Sequence, residues 1–107
     1  MRRASRSHGI LAAVILFTGA MSFAQSSGEA TYKAKCQNCH GPDGMASSGI
    51  GRIMKVKPAS DPDVRKQTEQ TMIDSVRNGD GKMQAYKGSL TDAQIKDSVD
   101  YFRKFIK

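Results

Sequence analysis

Two cysteines and a histidine stand together in the segment Cys36-Gln37-Asn38-Cys39-His40. This C-x-x-C-H spacing is the pattern of covalent haem attachment. Cysteines three residues apart at the end of a helix present both sulfurs to one edge of the macrocycle, where they form thioethers with its two vinyl groups. His40 follows immediately and is thereby held under the iron as an axial ligand. The motif therefore predicts one haem c, attached through Cys36 and Cys39 and ligated by His40.

Three other uses of the cysteine pair are weaker. A redox-active C-x-x-C pair belongs in a βαβ setting, and the sequence shows no strand pattern. A structural zinc site needs two further ligands, for which only carboxylates remain. A disulfide between Cys36 and Cys39 would close a very small loop and stabilise little.

The second axial ligand must come from elsewhere in the chain, and the candidates are methionines, because the only other histidine, His8, lies in a segment that we expect to be removed. Met72 lies on an apolar helical stripe and is better explained as core. Met45 is too near His40 to reach the opposite haem face easily. Met83 lies in the glycine-rich loop GDGKM between two helices, which can wrap over the far face. We expect Met83 to be the ligand, with Met54 as the second candidate.

The first 24 residues have the pattern of a secretory signal peptide. Arginines without any acid precede the uncharged run ILAAVILF, and small residues follow at Ser22 and Ala24. This pattern predicts export and cleavage after Ala24. An uncleaved membrane anchor is the alternative, since the uncharged stretch approaches the ~20 residues of a spanning helix. We expect residues 1–24 to be a signal peptide, residues 25–107 to be the mature domain, and the location to be periplasmic.

Cleavage would remove 24 of the 107 residues and leave 83, which is room for one small domain and no multidomain enzyme. It would also remove three of the 17 basic residues and no acid, which lowers the formal charge from +7 to +4. This modest charge, the absence of a recognition motif and the exported location argue against nucleic-acid binding. With only 38% hydrophobic residues, the chain has few side chains for a hydrophobic core. A bound haem would supply that core.

Apolar periodicity and capping signals predict an all-α fold. The Ser26-Ser27 pair is expected to cap a helix that runs to Cys39, and the loop that follows contains a short turn near residues 50–54. The later helices are expected to start at Pro62, after Thr68 and at a capping box formed by Thr91 and Gln94, with Gly79 as a C-cap. Their apolar stripes are Met72, Ile73 and Val76 on the middle helix and Ile95, Val99 and Phe102 on the last.

These features together resemble the class I c-type cytochromes, of the small monohaem bacterial or photosynthetic kind. The resemblance covers about residues 28–105 and rests on the helix leading into CQNCHGPDG, the segment VRNGDGKMQAYKGSLTDAQI and the closing DYFRKF. It implies a small cytochrome c fold of three to five helices around one haem, with His40 as proximal and Met83 as distal ligand. It also implies that the first and last helices cross at Gly28, Tyr32 and Tyr101.

Two positions depart from the family pattern. Many relatives have proline after the ligand methionine, where this chain has Gln84. The Met83 loop therefore lacks the stiffness that proline would give it. A proline after the attachment motif often offers its carbonyl to the proximal histidine. Pro58 is the candidate for that role here, although its surroundings match poorly.

Histidine and methionine ligation would fill all six iron positions and leave no site for a small-molecule substrate. The resemblance therefore implies a one-electron carrier between redox proteins, not an enzyme. The alternatives are a five-coordinate haem enzyme or gas sensor, and a membrane-held cytochrome subunit of a respiratory complex. Basic residues near the expected haem edge would favour docking to acidic partner surfaces, with membrane contact only through partner complexes. These residues are Lys33, Lys35, Arg52, Lys55, Lys57, Lys82 and Lys87.

Overall fold

The computed structural model describes Gly9, residues 12–16 and residues 23–107. Most of the expected signal peptide, residues 1–24, therefore lies outside the described residues. Gly9 and residues 12–16 have no regular secondary structure. Among the described helices, none combines the length and the apolar character that crossing a membrane requires.

Residues 23–107 form helices and loops and contain no strand beyond one isolated bridge between Asp80 and Met83. The first helical segment runs without a break through α1, a π turn and α2. The elements are α1 (Phe23–Thr31), the π turn (Tyr32–Cys36), α2 (Gln37–His40), α3 (Gly49–Ile53), α4 (Pro62–Arg65), α5 (Glu69–Asn78) and α6 (Asp92–Arg103). The all-α prediction of three to five helices is confirmed, because α1, the π turn and α2 are one continuous segment.

Most helix ends follow the capping residues in the sequence. The side chains of Asp61 and Thr68 accept backbone N–H groups at the starts of α4 and α5, and Pro62 is the first residue of α4. Thr91 and Gln94 form the expected capping box of α6. Gly79 ends α5 with a φ of 83°, a conformation that residues with a Cβ rarely adopt.

The start of the first helix differs from the prediction. α1 begins at Phe23, ahead of the expected cap at Ser26 and Ser27. The Ser27 hydroxyl instead donates to an Asp97 carboxylate oxygen on α6, at 3.3 Å. A serine that has a partner on a neighbouring helix is compatible with a helix interior, so the local capping preference is overridden by packing.

The core lies between α4, α5 and α6. Its buried residues are Val64, Met72, Ile73, Val76, Ile95 and Val99, and all except Val64 belong to the predicted apolar stripes. Half-buried Met83, Tyr86, Leu90, Phe102 and Ile106 pack against this cluster. Phe102 is therefore only partly covered by protein, although the stripe predicts it as core.

α1 and α6 cross at the residues that the family resemblance implies. A Cβ at Gly28 would lie 2.5 Å from the Asp97 carbonyl oxygen, so only glycine permits this approach of the two helices. One turn later the buried Tyr32 ring packs against Tyr101, with ring centroids 5.1 Å apart. The Tyr32 ring also lies 5.7 Å from that of Phe105. This crossing fixes the direction in which the first helical segment carries Cys36, Cys39 and His40.

Candidate functional site

The C-x-x-C-H segment spans the change from the π turn to α2. Cys36 is the last residue of the π turn, in which the Gln37 N–H donates to the Tyr32 carbonyl five residues earlier. Cys39 and His40 lie on α2, which ends at Gly41 with a φ of 82°. Short π-helical turns inside α-helices often mark functional sites. Here the turn changes the helical register just before the first cysteine.

Cys36 and Cys39 are both half-buried and are not joined in a disulfide. Burial raises the pKa of the Cys36 thiol to about 11, and the nearby Cys39 adds to this increase. The thiol is therefore neutral at physiological pH. A thioether sulfur is also uncharged, so this position suits a thioether as well as it suits a thiol.

His40 has the properties of a neutral nitrogen ligand. Burial lowers the pKa of its imidazole, which favours the uncharged ring that binds metals. Its Nδ1 is buried and has no hydrogen-bond partner among the described residues, and its ring packs edge-on against Phe102 at a centroid distance of 5.4 Å. The Pro58 carbonyl does not bond to this nitrogen and instead accepts the Asp61 N–H at 2.9 Å. The role considered for Pro58 is thus not seen among the described residues.

The backbone on both sides of His40 is held by hydrogen bonds. The buried Tyr32 hydroxyl donates to the Gly41 carbonyl at 2.6 Å. The His40 carbonyl accepts the Ala46 N–H at 2.8 Å, which folds the following loop back onto α2. Together these bonds limit the movement of the histidine at the end of its helix.

α3 packs directly against the C-x-x-C-H segment. The Ser48 hydroxyl donates to the Asn38 carbonyl at 2.8 Å and accepts the Gly51 N–H at 3.0 Å, so that it caps α3 and joins it to α2. Gly51 is buried at the contact, where a Cβ would lie 2.5 Å from the Cys39 carbonyl oxygen and 2.6 Å from that of Ala46. The contact therefore requires glycine at position 51.

We expect Gly51→Ala to destabilise the protein by about 2–3 kcal/mol, because α3 must move away from Cys39 to admit a methyl group. Gly49→Ala is the matched control on the same helix, since a Cβ there meets no atom within 4 Å. It should be neutral or stabilise by about 0.5 kcal/mol, because alanine restricts the unfolded chain. The free energy of unfolding of both variants is measured in urea. Equal stability of the two variants would show that the approach at Gly51 is not tight.

The four methionines of residues 25–107 lie in different environments. Met72 is buried in the core at 6% exposure, which confirms its interpretation as a packing residue. Met45 is 40% exposed. Met54 and Met83 are both half-buried, so burial alone does not separate the two candidates for the second ligand.

Met83 is presented by a tight turn. Its N–H and carbonyl form reciprocal hydrogen bonds with the backbone of Asp80, at 2.9 and 3.0 Å. Gly79 and Gly81 on this turn have φ values of 83° and 57°, and the Met83 side chain packs against the hydrophobic cluster of α4, α5 and α6. The loop joins the C-x-x-C-H segment through Tyr86, whose hydroxyl donates to the Lys35 carbonyl at 3.1 Å.

The arrangement fits a haem better than it fits the alternatives. The described residues contain no group of three or more histidine, cysteine and acidic side chains placed to hold a metal ion such as zinc. A haem, by contrast, needs two free thiols, a neutral imidazole and an apolar surface. Met45 in the loop after the motif and Ile50 and Ile53 on α3 supply exposed apolar side chains, with 40%, 43% and 76% exposure.

The sequence did not predict three residues of the site, which are Ser48, Gly51 and Tyr86. Ser48 was detectable in principle, because a serine before a short helix is a common N-cap. Gly51 and Tyr86 act through contacts with Cys39 and Lys35, which are distant along the chain. Neither contact has a local signature in the sequence.

Comparisons with known proteins agree with this geometry. Residues 23–102 match the family model described as "Cytochrome C oxidase, cbb3-type, subunit III". The chain is 30% identical over 76 residues to cytochrome c6 of Leptolyngbya boryana, which covers 71% of this chain and 86% of that protein.

Solved structures give the same picture. The c-type cytochrome KustC0563 superimposes with a TM-score of 0.68 at 27% identity, over 75% of this chain and 98% of that one. A point mutant of that protein gives a TM-score of 0.66 at 25% identity, over 74% and 98% of the two chains. The chain is a haem c protein that carries electrons and is not an enzyme. It belongs to the matched cytochrome family and is a small class I c-type cytochrome.

Proposed function

We propose that the protein is an exported monohaem cytochrome that carries one electron at a time between redox partners. Cys36 and Cys39 would attach the haem as thioethers, and His40 and Met83 would be its axial ligands. The observation that carries the proposal is the placement of two free thiols and a neutral, unpaired imidazole on one helical segment. The bound haem would supply a ferric/ferrous couple.

The chain's own residues would set the properties of that couple. The thioether sulfur of Met83 is neutral and favours ferrous iron, which raises the reduction potential. Burial keeps His40 neutral, and Phe102 restricts the orientation of its ring. With both axial positions filled, no position would remain for oxygen or another small molecule, in contrast to a five-coordinate enzyme or gas sensor.

The mature protein would comprise residues 25–107 in the periplasm, after removal of residues 1–24. A membrane-held subunit is the second candidate, and the description of the matched family as an oxidase subunit favours considering it. The two candidates differ at the N-terminus. A soluble carrier begins at Gln25, whereas a membrane-held subunit retains the segment before it.

Partner docking would use basic side chains near the attachment segment. All seven basic residues identified in the sequence are exposed. Lys33 and Lys57 form ion pairs with Glu29 and Asp63, at 2.7 and 2.8 Å. Within the described residues the other five form no ion pair, and they are Lys35, Arg52, Lys55, Lys82 and Lys87. Their uncompensated charge supports docking to an acidic surface, with an association rate that falls as salt increases.

The test is mass spectrometry of the purified protein under denaturing conditions, combined with absorption of its ferric form. We expect the mass of residues 25–107 plus one haem, and a weak near-infrared band that reports a bond between ferric iron and a thioether sulfur. A mass without haem would overturn the proposal. A haem-loaded chain without the near-infrared band would instead indicate the five-coordinate alternative, and an intact N-terminal segment would indicate the membrane-held subunit.

A further inference from the structure

Two tyrosine hydroxyls donate to the backbone carbonyls that immediately flank the C-x-x-C-H segment. Tyr86 donates to Lys35, one residue before Cys36, at 3.1 Å. Tyr32 donates to Gly41, one residue after His40, at 2.6 Å. Tyr101, the third tyrosine, contributes its ring to packing, and its hydroxyl makes no hydrogen bond within residues 23–107. The chain thus contains two tyrosines that hold the segment and one that does not.

Tyr86 differs from Tyr32 because it belongs to the Met83 loop. Its backbone N–H donates to the Val76 carbonyl of α5 at 2.9 Å, and its carbonyl accepts the N–H groups of Ser89 and Leu90. Its half-buried ring packs against the hydrophobic cluster. With its backbone fixed to α5, its hydroxyl reaches a residue 51 positions earlier in the chain. It therefore connects the loop that carries Met83 to the π turn that carries Cys36.

Between the end of α5 and Tyr86, the described backbone of the Met83 loop forms few hydrogen bonds. Beyond the reciprocal bonds between Asp80 and Met83, the loop contains Gly79 and Gly81 at positive φ. Gln84 and Ala85, which separate Met83 from Tyr86, are exposed. Glutamine also leaves the backbone at position 84 free of the restriction that proline would impose. In this loop, the hydrogen bond from Tyr86 to Lys35 thus affects the position of Met83 more than it would if the loop were stiff.

We propose that Tyr86 is a positioning residue that keeps the Met83 loop against the attachment segment and so holds the Met83 sulfur on the iron. The inference rests on the proposed function, because it requires Met83 to be a ligand. Tyr86 would act on Met83 only through the backbone, and its hydroxyl would not contact the haem. The predicted consequence is that loss of this hydroxyl makes Met83 easier to displace by another ligand.

The test is an imidazole titration of the ferric holoprotein, since imidazole competes with a methionine sulfur for the sixth iron position. Loss of the near-infrared thioether–iron band measures the displacement. Tyr86→Phe keeps the ring and its packing and removes only the donor. One net hydrogen bond corresponds to a factor of about 5 in an equilibrium constant, so the half-displacement concentration should fall about fivefold. Tyr101→Phe, the matched control, should titrate like the wild type.

Each outcome decides the inference. A fivefold decrease for Tyr86→Phe with an unchanged Tyr101→Phe supports it. Equal titrations of Tyr86→Phe and the wild type overturn it, and so does an equal decrease in both variants, which would reflect general loosening. A lower free energy of unfolding for Tyr86→Phe with an unchanged titration would show a merely structural role and would also overturn it. A wild type without the near-infrared band overturns the proposed function, and this failure is visible before any variant is compared.

Discussion

Replacing both Cys36 and Cys39 with serine should leave a chain without covalent haem and without a cooperative unfolding transition. Among residues 27–107, whose burial the structure describes, only nine hydrophobic residues are buried, and two of them are alanines. Burial of one large aliphatic side chain contributes about 1.5–3 kcal/mol, and chain entropy opposes the sum of these contributions. The remaining core is therefore too small to maintain the fold without the haem, and we expect the loss to exceed the ~5 kcal/mol that small domains have in reserve.

The exposed apolar side chains of α3 and of the loop before it support the same conclusion. Without a haem, the protein leaves Met45, Ile50 and Ile53 40–76% exposed. Phe102 is only half-buried beside His40. A bound haem would give these side chains a partner, so its removal would cost their burial as well as the thioether links. The effect on stability is thus larger than that of a single core substitution.

Far-ultraviolet circular dichroism during heating measures the transition, and denaturing mass spectrometry measures the covalent haem. The single variants Cys36→Ser and Cys39→Ser are the controls, because each keeps one thioether and should retain haem and an intermediate melting temperature. If the double variant lacks haem and still melts cooperatively at the temperature of the wild type, the protein core is sufficient by itself and the argument from burial is wrong.

Local signals explain which parts of the fold were predictable. Asp61, Thr68 and Thr91 each cap the helix that the sequence assigns to them, because an N-cap depends on residues within one turn. Gly79 ends α5 for a similar local reason. The interactions that override local preference are the ones that were missed. Ser27 forms a hydrogen bond with Asp97 on α6 instead of capping α1. No sequence pattern predicts the hydrogen bond from Gln37 to Tyr32 that forms the π turn.

The site divides in the same way. Cys36, Cys39 and His40 lie within five consecutive residues, so the motif alone places them close together. The surroundings of His40 were less predictable, because they depend on residues that are remote in sequence. Phe102 packs on its ring and Tyr32 holds the next carbonyl, while Pro58 bonds elsewhere. The attachment chemistry is thus encoded locally, and the control of ligand orientation is encoded in tertiary contacts.

Met83→Ala should abolish the near-infrared thioether–iron band and lower the reduction potential by about 100 mV or more, because the axial ligand is a main determinant of haem potential. Alanine offers no donor atom, and water entering the site would stabilise the more highly charged ferric iron. The tight turn formed by Asp80 and Met83 uses only backbone hydrogen bonds, so the loop should keep its conformation in the variant. Absorption spectroscopy and a redox titration of the purified holoprotein measure the two effects.

Met54→Ala is the matched control for this experiment. Met54 is half-buried like Met83, but it lies at the end of α3, and its N–H donates to the Ile50 carbonyl at 2.9 Å. Both variants truncate a half-buried methionine to alanine, and only loss of the iron ligand should change the near-infrared band and the potential strongly. If Met54→Ala loses the band and Met83→Ala retains it, the second ligand is Met54, at the end of α3. In that case the loop tied down by Tyr86 would have no direct part in iron ligation.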